Sequence, residues 1–369
     1  MSGWRWPENP VWSWMLTRPL GESVYGGGAT NEILSAADRI VPGDGESWYA
    51  AFRQLALRAK ELGDEAGEQG FRLTARDHYL RAFNYFRWSE AFLEHRDERR
   101  LQSFRAARES FEKARPLFPS PVERVEIPTE EGTLPGYFFH APGHAGEPGP
   151  VLISIAGADV YKEALYFLGG AAALARGLSL LVYDGPGQGE MGRERNTRIR
   201  PDYERVLSAV VDYLEGRADV DPKRIGLLAR SFAGYYACRA LAFEHRIRAA
   251  VILGAFYDAV EVFDFYAPLQ RQFQFLLQSD DLKDTRARLA DFRLSRLLQQ
   301  VTTPVWVLHG EDDFLVPVSH AQKTYDELGG EKMLTLYPSG QPGAHHCQHD
   351  IMHEVFPAVC DWLAKRLQP

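Results

Sequence analysis

The chain has 369 residues, 45% of them hydrophobic, which is enough to bury a large core and more than one domain usually needs. Its formal net charge of −8 comes from charges of mixed sign without a basic stripe, so no nucleic-acid binding is expected. Three cysteines are too few for a disulfide framework and predict a reducing, cytoplasmic compartment.

The first third of the chain carries helical signals. Tyr79, Phe83 and Phe86 recur at three- and four-residue spacing, which predicts a helical domain over residues 1–120 that would cap the rest of the chain. The opening segment is rich in aromatic residues, and we favour packing over a pocket wall or a dimer contact as their role. Residues 1–7 lack the pattern of a signal peptide.

After residue 120, strand and helix signals alternate. Residues 122–127 and 136–140 predict an antiparallel pair around a turn at 130–133, and later apolar runs predict strands buried on both faces. A helix is predicted over residues 162–176, where the apolar run ends too soon to span a bilayer, so no membrane association is expected. The pattern predicts an α/β fold with a doubly wound, mostly parallel sheet over residues 121–369. A largely helical insertion at residues 256–298 would contribute to the cap.

The strongest functional signal surrounds Ser231. Residues 224–228 predict a buried strand and residues 235–241 a helix, which leaves Ser231 at the sharp turn between them. A serine at such a turn is typical of the nucleophile elbow of α/β-hydrolases. Ala229 and Ala233 replace the usual flanking glycines, so the motif alone does not separate a nucleophile from a helix N-cap.

Acidic and histidine residues follow in the order that α/β-hydrolases use, which is serine, acid, histidine. Asp313 comes after an apolar strand at residues 304–310, in a Gly-x-x-Asp-x-x-Val-Pro pattern. A strand at residues 333–337 and a loop rich in glycine and proline then lead to His345 and His346. Since the carboxyl ends of parallel strands meet at one sheet edge, we predict a catalytic triad that uses one of these two histidines.

A metal site is the alternative interpretation of the histidine-rich segment. His345, His349 and His353 have the i, i+4, i+8 spacing that would stack them on one helix face, close to His346 and Cys347. The preceding loop-forming residues and the lack of a carboxylate-rich partner strand argue against this interpretation. We therefore expect no metal and no other cofactor.

Several segments resemble a known family. Residues 184–189, Asp-Gly-Pro-Gly-Gln-Gly, are similar to a signature of bacterial and fungal α/β-hydrolases with an N-terminal helical lid. Residues 157–163, the turn at Ser231, residues 254–258 and residues 346–349 extend the resemblance. Members of this family include 2,6-dihydroxypseudooxynicotine hydrolase and the fungal polyketide chain-shortening hydrolases of secondary metabolism.

The resemblance implies a serine hydrolase with Ser231, Asp313 and His346 as its triad, because the family's catalytic histidine is followed directly by cysteine. It also implies cleavage of a carbon–carbon bond next to a ketone, in a 1,3-diketone or acyl-phenol of aromatic or polyketide-like character. The backbone N–H groups of Phe232 and Ala158 would form the oxyanion hole.

Three further residues are candidates for substrate binding. By the resemblance, Asp159 stands where 2,6-dihydroxypseudooxynicotine hydrolase has a glutamate that faces the substrate. An equal alternative is that Asp159 caps a helix that begins near Tyr161. Tyr161 and Tyr257 fit either a pocket wall or the core.

Two other functions stay open at the level of sequence. A carboxylesterase or thioesterase acting on a polyketide-like or aromatic acyl group would use the same triad. A binding protein of the same fold is disfavoured because all three triad residues are retained. The expected partners are a small-molecule substrate and, by the resemblance, a second copy of the chain in a homodimer.

Overall fold

The computed structural model describes residues 4–130, 132–143 and 147–369. They fall into two units. The first unit contains the chain up to Val122 with Tyr166–Leu168 and His349–His353, and the second contains Glu123–Leu165, Gly169–Gln348 and Glu354–Pro369. Residues 1–3, part of the segment in which the sequence shows no signal-peptide pattern, lie outside the described residues. Glu131 of the turn predicted at residues 130–133 lies outside them as well.

The first unit is helical. Its helices are α1 (Pro10–Glu22), α2 (Thr30–Ala37), α3 (Gly45–Glu68), α4 (Arg72–Ser89) and α5 (Glu98–Ala114), with 3₁₀ turns at Ser23–Tyr25 and Arg115–Leu117. Asp44 and Asp97 cap α3 and α5 by accepting hydrogen bonds from backbone N–H groups in the first turn. The ring of Trp12 stacks on that of Phe92 with centroids 3.8 Å apart, and Trp14 is buried. Trp12 therefore packs within the first unit, while the expected packing of the opening segment against the rest of the chain stays a prediction.

The second unit is built on an eight-stranded sheet. Its strands are β1 (Val122–Thr129), β2 (Gly132–Phe139), β3 (Gly149–Ile155), β4 (Ser179–Tyr183), β5 (Val220–Arg230), β6 (Ala249–Leu253), β7 (Val305–Gly310) and β8 (Lys332–Tyr337). The spatial order is β1-β2-β4-β3-β5-β6-β7-β8. β2 pairs antiparallel with β4, and every pair from β4 to β8 is parallel. All residues of β3, β4 and β6 are buried, as continuous apolar runs predict.

Helices fill the connections of this sheet. They are α6 (Gly170–Leu174), α7 (Gly189–Arg193), α8 (Glu204–Glu215), α9 (Ala233–Leu241), α10 (Ala259–Phe265), α11 (Ala267–Leu277), α12 (Leu282–Leu289), α13 (Ser319–Glu327) and α14 (Met352–Arg366), with 3₁₀ turns at Lys162–Tyr166, Leu298–Gln300 and His346–Ile351. The prediction of one helix over residues 162–176 is wrong, because Gly169, with φ of 111°, separates the 3₁₀ turn from α6. Residues 256–298 are largely helical, as expected, while their contribution to a cap stays a prediction. Across the described ranges, none of the helices has both the length and the hydrophobicity of a membrane span.

The strand order opens a crevice at one point of the sheet. From β3 the chain turns to β4 on one side, and from β5 it turns to β6 on the other side. The loops that leave the carboxyl ends of β3 and β5 therefore diverge, and ligands of open α/β sheets bind at such a switch point. Ser231 follows β5 directly and Ala158 lies in the loop after β3.

Candidate active site

Ser231 occupies a strained turn between β5 and α9. Its backbone φ is 57°, in the left-handed region that residues other than glycine rarely adopt. Its N–H donates to the carbonyl oxygen of Leu253 at 2.8 Å, and its own carbonyl oxygen accepts from the N–H of Gly234 at 2.7 Å. These two bonds hold the sharp strand-to-helix turn that a nucleophile elbow requires.

The two alanines that flank this turn fit where glycines are usual. Ala229 and Ala233 are fully buried. Gly157 lies close to the turn, since a Cβ there would lie 3.3 Å from the Cβ of Ser231 and 3.1 Å from the carbonyl oxygen of Arg230. The loop that carries Gly157 therefore lies directly against the serine.

A chain of hydrogen bonds runs from Ser231 through His346 to Asp313. The Ser231 Oγ lies 2.9 Å from His346 Nε2, and His346 Nδ1 lies 2.6 Å from Asp313 Oδ2. The other carboxylate oxygen of Asp313 accepts the backbone N–H groups of Leu315 and Val316, both at 2.9 Å. The structure thus brings together Ser231, Asp313 and one of the two candidate histidines, His346, whose Nε2 lies next to the serine.

The other histidines of this segment do not follow the helical alternative. His345 Nδ1 lies 3.3 Å from a backbone carbonyl oxygen. Cys347 and Gln348 both have positive φ, so the segment is not one continuous helix. The alternative interpretation, in which His345, His349 and His353 stack on one helix face, is therefore not what the structure has, and the sequence argument against that interpretation agrees with this backbone.

Within the described residues, one group of potential metal ligands lies close together elsewhere, at Glu123, His140 and Asp219. Arg217 donates to Glu123 at 3.0 Å and to Asp219 at 2.7 Å. Because the guanidinium already compensates both carboxylates, we interpret this group as an ion-pair cluster.

Electrostatics within the hydrogen-bonded chain favour a charged histidine beside a charged aspartate. Burial acts to lower the pKa of His346, but interactions with Asp313 and Cys347 together outweigh burial and raise this pKa above its ordinary value of 6.5. Burial likewise acts to raise the pKa of Asp313, but the charge and hydrogen bond of His346, together with His309 and the N–H of Val316, outweigh burial and lower this pKa. An ionised Asp313 is the state that holds the imidazole in orientation.

Two residues that the sequence analysis did not single out support this arrangement. His309 is buried near the end of β7, with Nε2 2.9 Å from the carbonyl oxygen of Val316 and 3.3 Å from Asp313 Oδ2. Gly254 follows β6 with φ of 69°, and a Cβ there would lie 3.1 Å from His346 Cε1. The positions of both residues at strand ends were visible in the sequence, whereas their contacts with Asp313 and His346 were not.

The remaining predicted site residues have mixed surroundings. Phe232 follows Ser231, and its ring is buried in an aromatic cluster. Asp159 is exposed and Tyr161 is buried. Tyr257 is buried with its N–H bonded to His320 Nδ1 at 3.1 Å, and its hydroxyl donates to a glutamate of α13. The binding roles of these residues and the oxyanion roles of Phe232 and Ala158 stay predictions.

The left-handed backbone of Ser231 predicts a stability difference between two variants. We expect Ser231→Gly to be more stable than Ser231→Ala by about 1 kcal/mol, because both lose the same hydroxyl and only glycine adopts this backbone without strain. Urea unfolding of both variants measures the difference. At Ser154, in the extended strand β3, the same pair of substitutions should show the opposite order. Equal stability of the two Ser231 variants would contradict the strain.

Known proteins resemble this chain in sequence and in structure. A family model described as the prolyl oligopeptidase family matches residues 166–369. Two fungal relatives, the α/β-hydrolase xenA of Xenoacremonium sinensis and the α/β-hydrolase pydG of an Acremonium species, are 40% and 38% identical over 256 residues. Each alignment covers 67% of this chain and 60% of the relative, so the chain spans about three fifths of their length. The solved structure of 2,6-dihydroxy-pseudo-oxynicotine hydrolase is similar with a TM-score of 0.83 and 29% identity, covering 94% of this chain and 95% of that one.

Proposed function

We propose that this chain, which belongs to the prolyl oligopeptidase family, uses Ser231 to cleave a carbon–carbon bond next to a ketone in an aromatic or polyketide-like substrate. The predicted α/β-hydrolase fold and the predicted family resemblance are confirmed, and the predicted enzyme class, a serine hydrolase of this fold, agrees with the family and its hydrolase relatives. The observation that carries the proposal is the hydrogen-bonded chain from Ser231 through His346 to Asp313.

In the proposed reaction His346 acts first as a base and then as an acid. Its Nε2 takes the proton of Ser231 as the Oγ attacks the substrate carbonyl, while Asp313 stabilises the imidazolium. The N–H groups of Phe232 and Ala158 would bind the oxyanion. When the carbon–carbon bond breaks, the leaving carbon takes the proton from His346 Nε2. A water molecule activated by His346 then releases the acyl group from Ser231.

The carbon leaving group sets the proposed substrate class. An unstabilised carbanion leaves far less readily than an alkoxide, so the departing carbon has to be stabilised by its own substituents. In a 1,3-diketone the departing ketone fragment leaves as an enolate. An acyl-phenol reacts through its dearomatised keto tautomer, in which the phenol proton has moved to the ring carbon that bears the acyl group, and cleavage returns the bonding electron pair to the ring, which leaves as an aromatic phenolate. The family resemblance and the similarity to 2,6-dihydroxy-pseudo-oxynicotine hydrolase support this class.

A substrate panel tests the proposed reaction. Purified protein would be given aryl 1,3-diketones, acyl-phenols and p-nitrophenyl esters, with Ser231→Ala as the control. We expect carboxylic acid and ketone or phenol products from the first two groups, at a higher kcat/KM than for the esters. Turnover of esters or thioesters alone would contradict carbon–carbon cleavage and support the carboxylesterase or thioesterase alternative.

A second copy of the chain is the partner that we propose beside the small-molecule substrate. This proposal rests on the family resemblance alone. Light scattering after size-exclusion chromatography measures it directly. A mass equal to that of one chain, 41.7 kDa, would contradict the homodimer.

The raised pKa of His346 predicts the pH dependence of turnover. Only the neutral ring can accept the serine proton, so kcat/KM should rise with pH, with a midpoint above the ordinary histidine pKa of about 6.5. Asp313→Asn removes the negative charge and should move the midpoint to lower pH. Asp312→Asn is the matched control, because the carboxylate of Asp312 bonds instead to Ser339 and Gly340. A larger shift in the Asp312 variant would contradict the assignment of Asp313.

A further inference from the structure

Gln188, in the glycine-rich signature at residues 184–189, fixes the start of the loop after β3. Its Nε2 donates to the carbonyl oxygen of Ala156 at 2.5 Å and lies 3.4 Å from that of Gly157. Its Oε1 accepts the N–H of Gly185 at 2.9 Å, which sets the orientation of the amide. Gln188 is 3% exposed, so water does not compete for these bonds.

Asp184, at the start of the same signature, fixes the end of that loop. Its Oδ1 accepts the backbone N–H of Lys162 at 2.9 Å, and its Oδ2 accepts from Lys162 Nζ at 2.9 Å. The N–H of Glu190 bonds to Oδ2 at 2.9 Å as well. Asp184 and Lys162 are both buried, so this is a hydrogen-bonded ion pair shielded from solvent.

Gln272 holds the middle of the loop from another direction. It lies on α11, in the insertion at residues 256–298, and its Nε2 donates to the carbonyl oxygen of Ala158 at 2.8 Å. The peptide groups on both sides of Ala158 are therefore engaged, one near Gln188 and one by Gln272.

We propose that Gln188 and Gln272 are positioning residues that aim the N–H of Ala158 at the substrate oxyanion. This inference rests on the proposed function. The Ala158 N–H and the Gly157 carbonyl belong to one planar trans peptide, so anchoring the carbonyl side fixes the direction of the N–H. A donor held in place before reaction stabilises the developing charge without reorganising, and such donors supply a large part of catalysis in acyl transfer.

Single substitutions test this role. Gln188→Met and Gln272→Met remove the amide donors at nearly constant volume. Gln270→Met is the matched control on α11, because its Nε2 donates to the carbonyl oxygen of Phe263 within the insertion. Turnover of a p-nitrophenyl ester would be measured per active site, with sites counted by fluorophosphonate labelling and intact mass. The inhibition constant of a trifluoromethyl ketone, which forms a tetrahedral adduct with serine, would be measured alongside.

For Gln188→Met and for Gln272→Met we expect kcat per active site to fall roughly 10- to 100-fold with little change in KM. The affinity for the trifluoromethyl ketone should fall in parallel, and the pH midpoint should not move, since His346 and Asp313 are untouched. If Gln188→Met does not fold, the same measurements on Gln272→Met, at a half-buried position, test the inference.

Two results would overturn the inference. One is a kcat per active site in Gln188→Met and Gln272→Met that equals the value for Gln270→Met, with only the labelled fraction of the protein reduced. The other is wild-type protein that does not label while Ser231→Ala still turns over, which defeats the proposed function and this inference with it. The first result, when the wild-type protein is labelled, contradicts this inference and leaves the proposed function standing.

Discussion

Replacing Ser231 with alanine should lower kcat/KM by roughly 10⁴-fold or more, because the substitution removes the atom that forms the acyl-enzyme. The turn itself is held by backbone hydrogen bonds to Leu253 and Gly234, which alanine can also make. Steady-state kinetics on the best substrate of the panel would measure the loss.

Ser154→Ala is the matched control for this variant. Ser154 is a buried serine of β3 whose hydroxyl has no part in the hydrogen-bonded chain. Its substitution should leave kcat/KM within about threefold of wild type, as expected for a residue outside the reacting groups. Comparable losses in both variants would show that the Ser231 effect is not specific.

Replacing His346 should be almost as damaging as replacing Ser231, and replacing its neighbour should not. We expect His346→Ala to lower kcat roughly 10⁴-fold or more, because in the proposed reaction one ring is both the base for the serine and the acid for the leaving carbon. His345→Gln keeps a donor for the backbone carbonyl that His345 approaches and should change kcat by about threefold or less. Both variants would be assayed at the pH optimum of the wild type.

Because His345 and His346 are adjacent in the chain, the two variants form a well-controlled comparison. The two variants change the same stretch of chain, so a general disturbance of the loop would affect both. A larger loss in His345→Gln than in His346→Ala would contradict the geometry in which His346 Nε2 lies 2.9 Å from the serine hydroxyl.

Much of the second unit could be predicted because its signals are local. Strands β3 and β4 are short, continuous apolar runs, and their burial on both faces follows from that composition. That Ser231 and Asp313 would meet a histidine could be predicted, because the loops that follow parallel strands lie at one edge of the sheet. The sequence patterns therefore contained the sheet and the three side chains that meet on it.

Contacts between distant segments were beyond such reasoning. The bond from Gln272 to the carbonyl of Ala158 joins residues 114 positions apart, and no periodicity marks it. The predicted helix is broken at Gly169, whose φ of 111° is not helical, and a Cβ at this position would lie 2.7 Å from Leu228 Cδ2 and 3.3 Å from Phe356 Cδ1. The choice of His346 over His345 came from the family resemblance, since the residues alone left both open.

Fluorophosphonate labelling with intact-mass analysis tests the central claim most directly, because the reagent reports an activated serine without requiring the natural substrate. We expect a single adduct on the wild-type chain, located at Ser231 and absent in both Ser231→Ala and His346→Ala. A wild-type chain that stays unlabelled, or a Ser231→Ala chain that still carries the adduct, would contradict it.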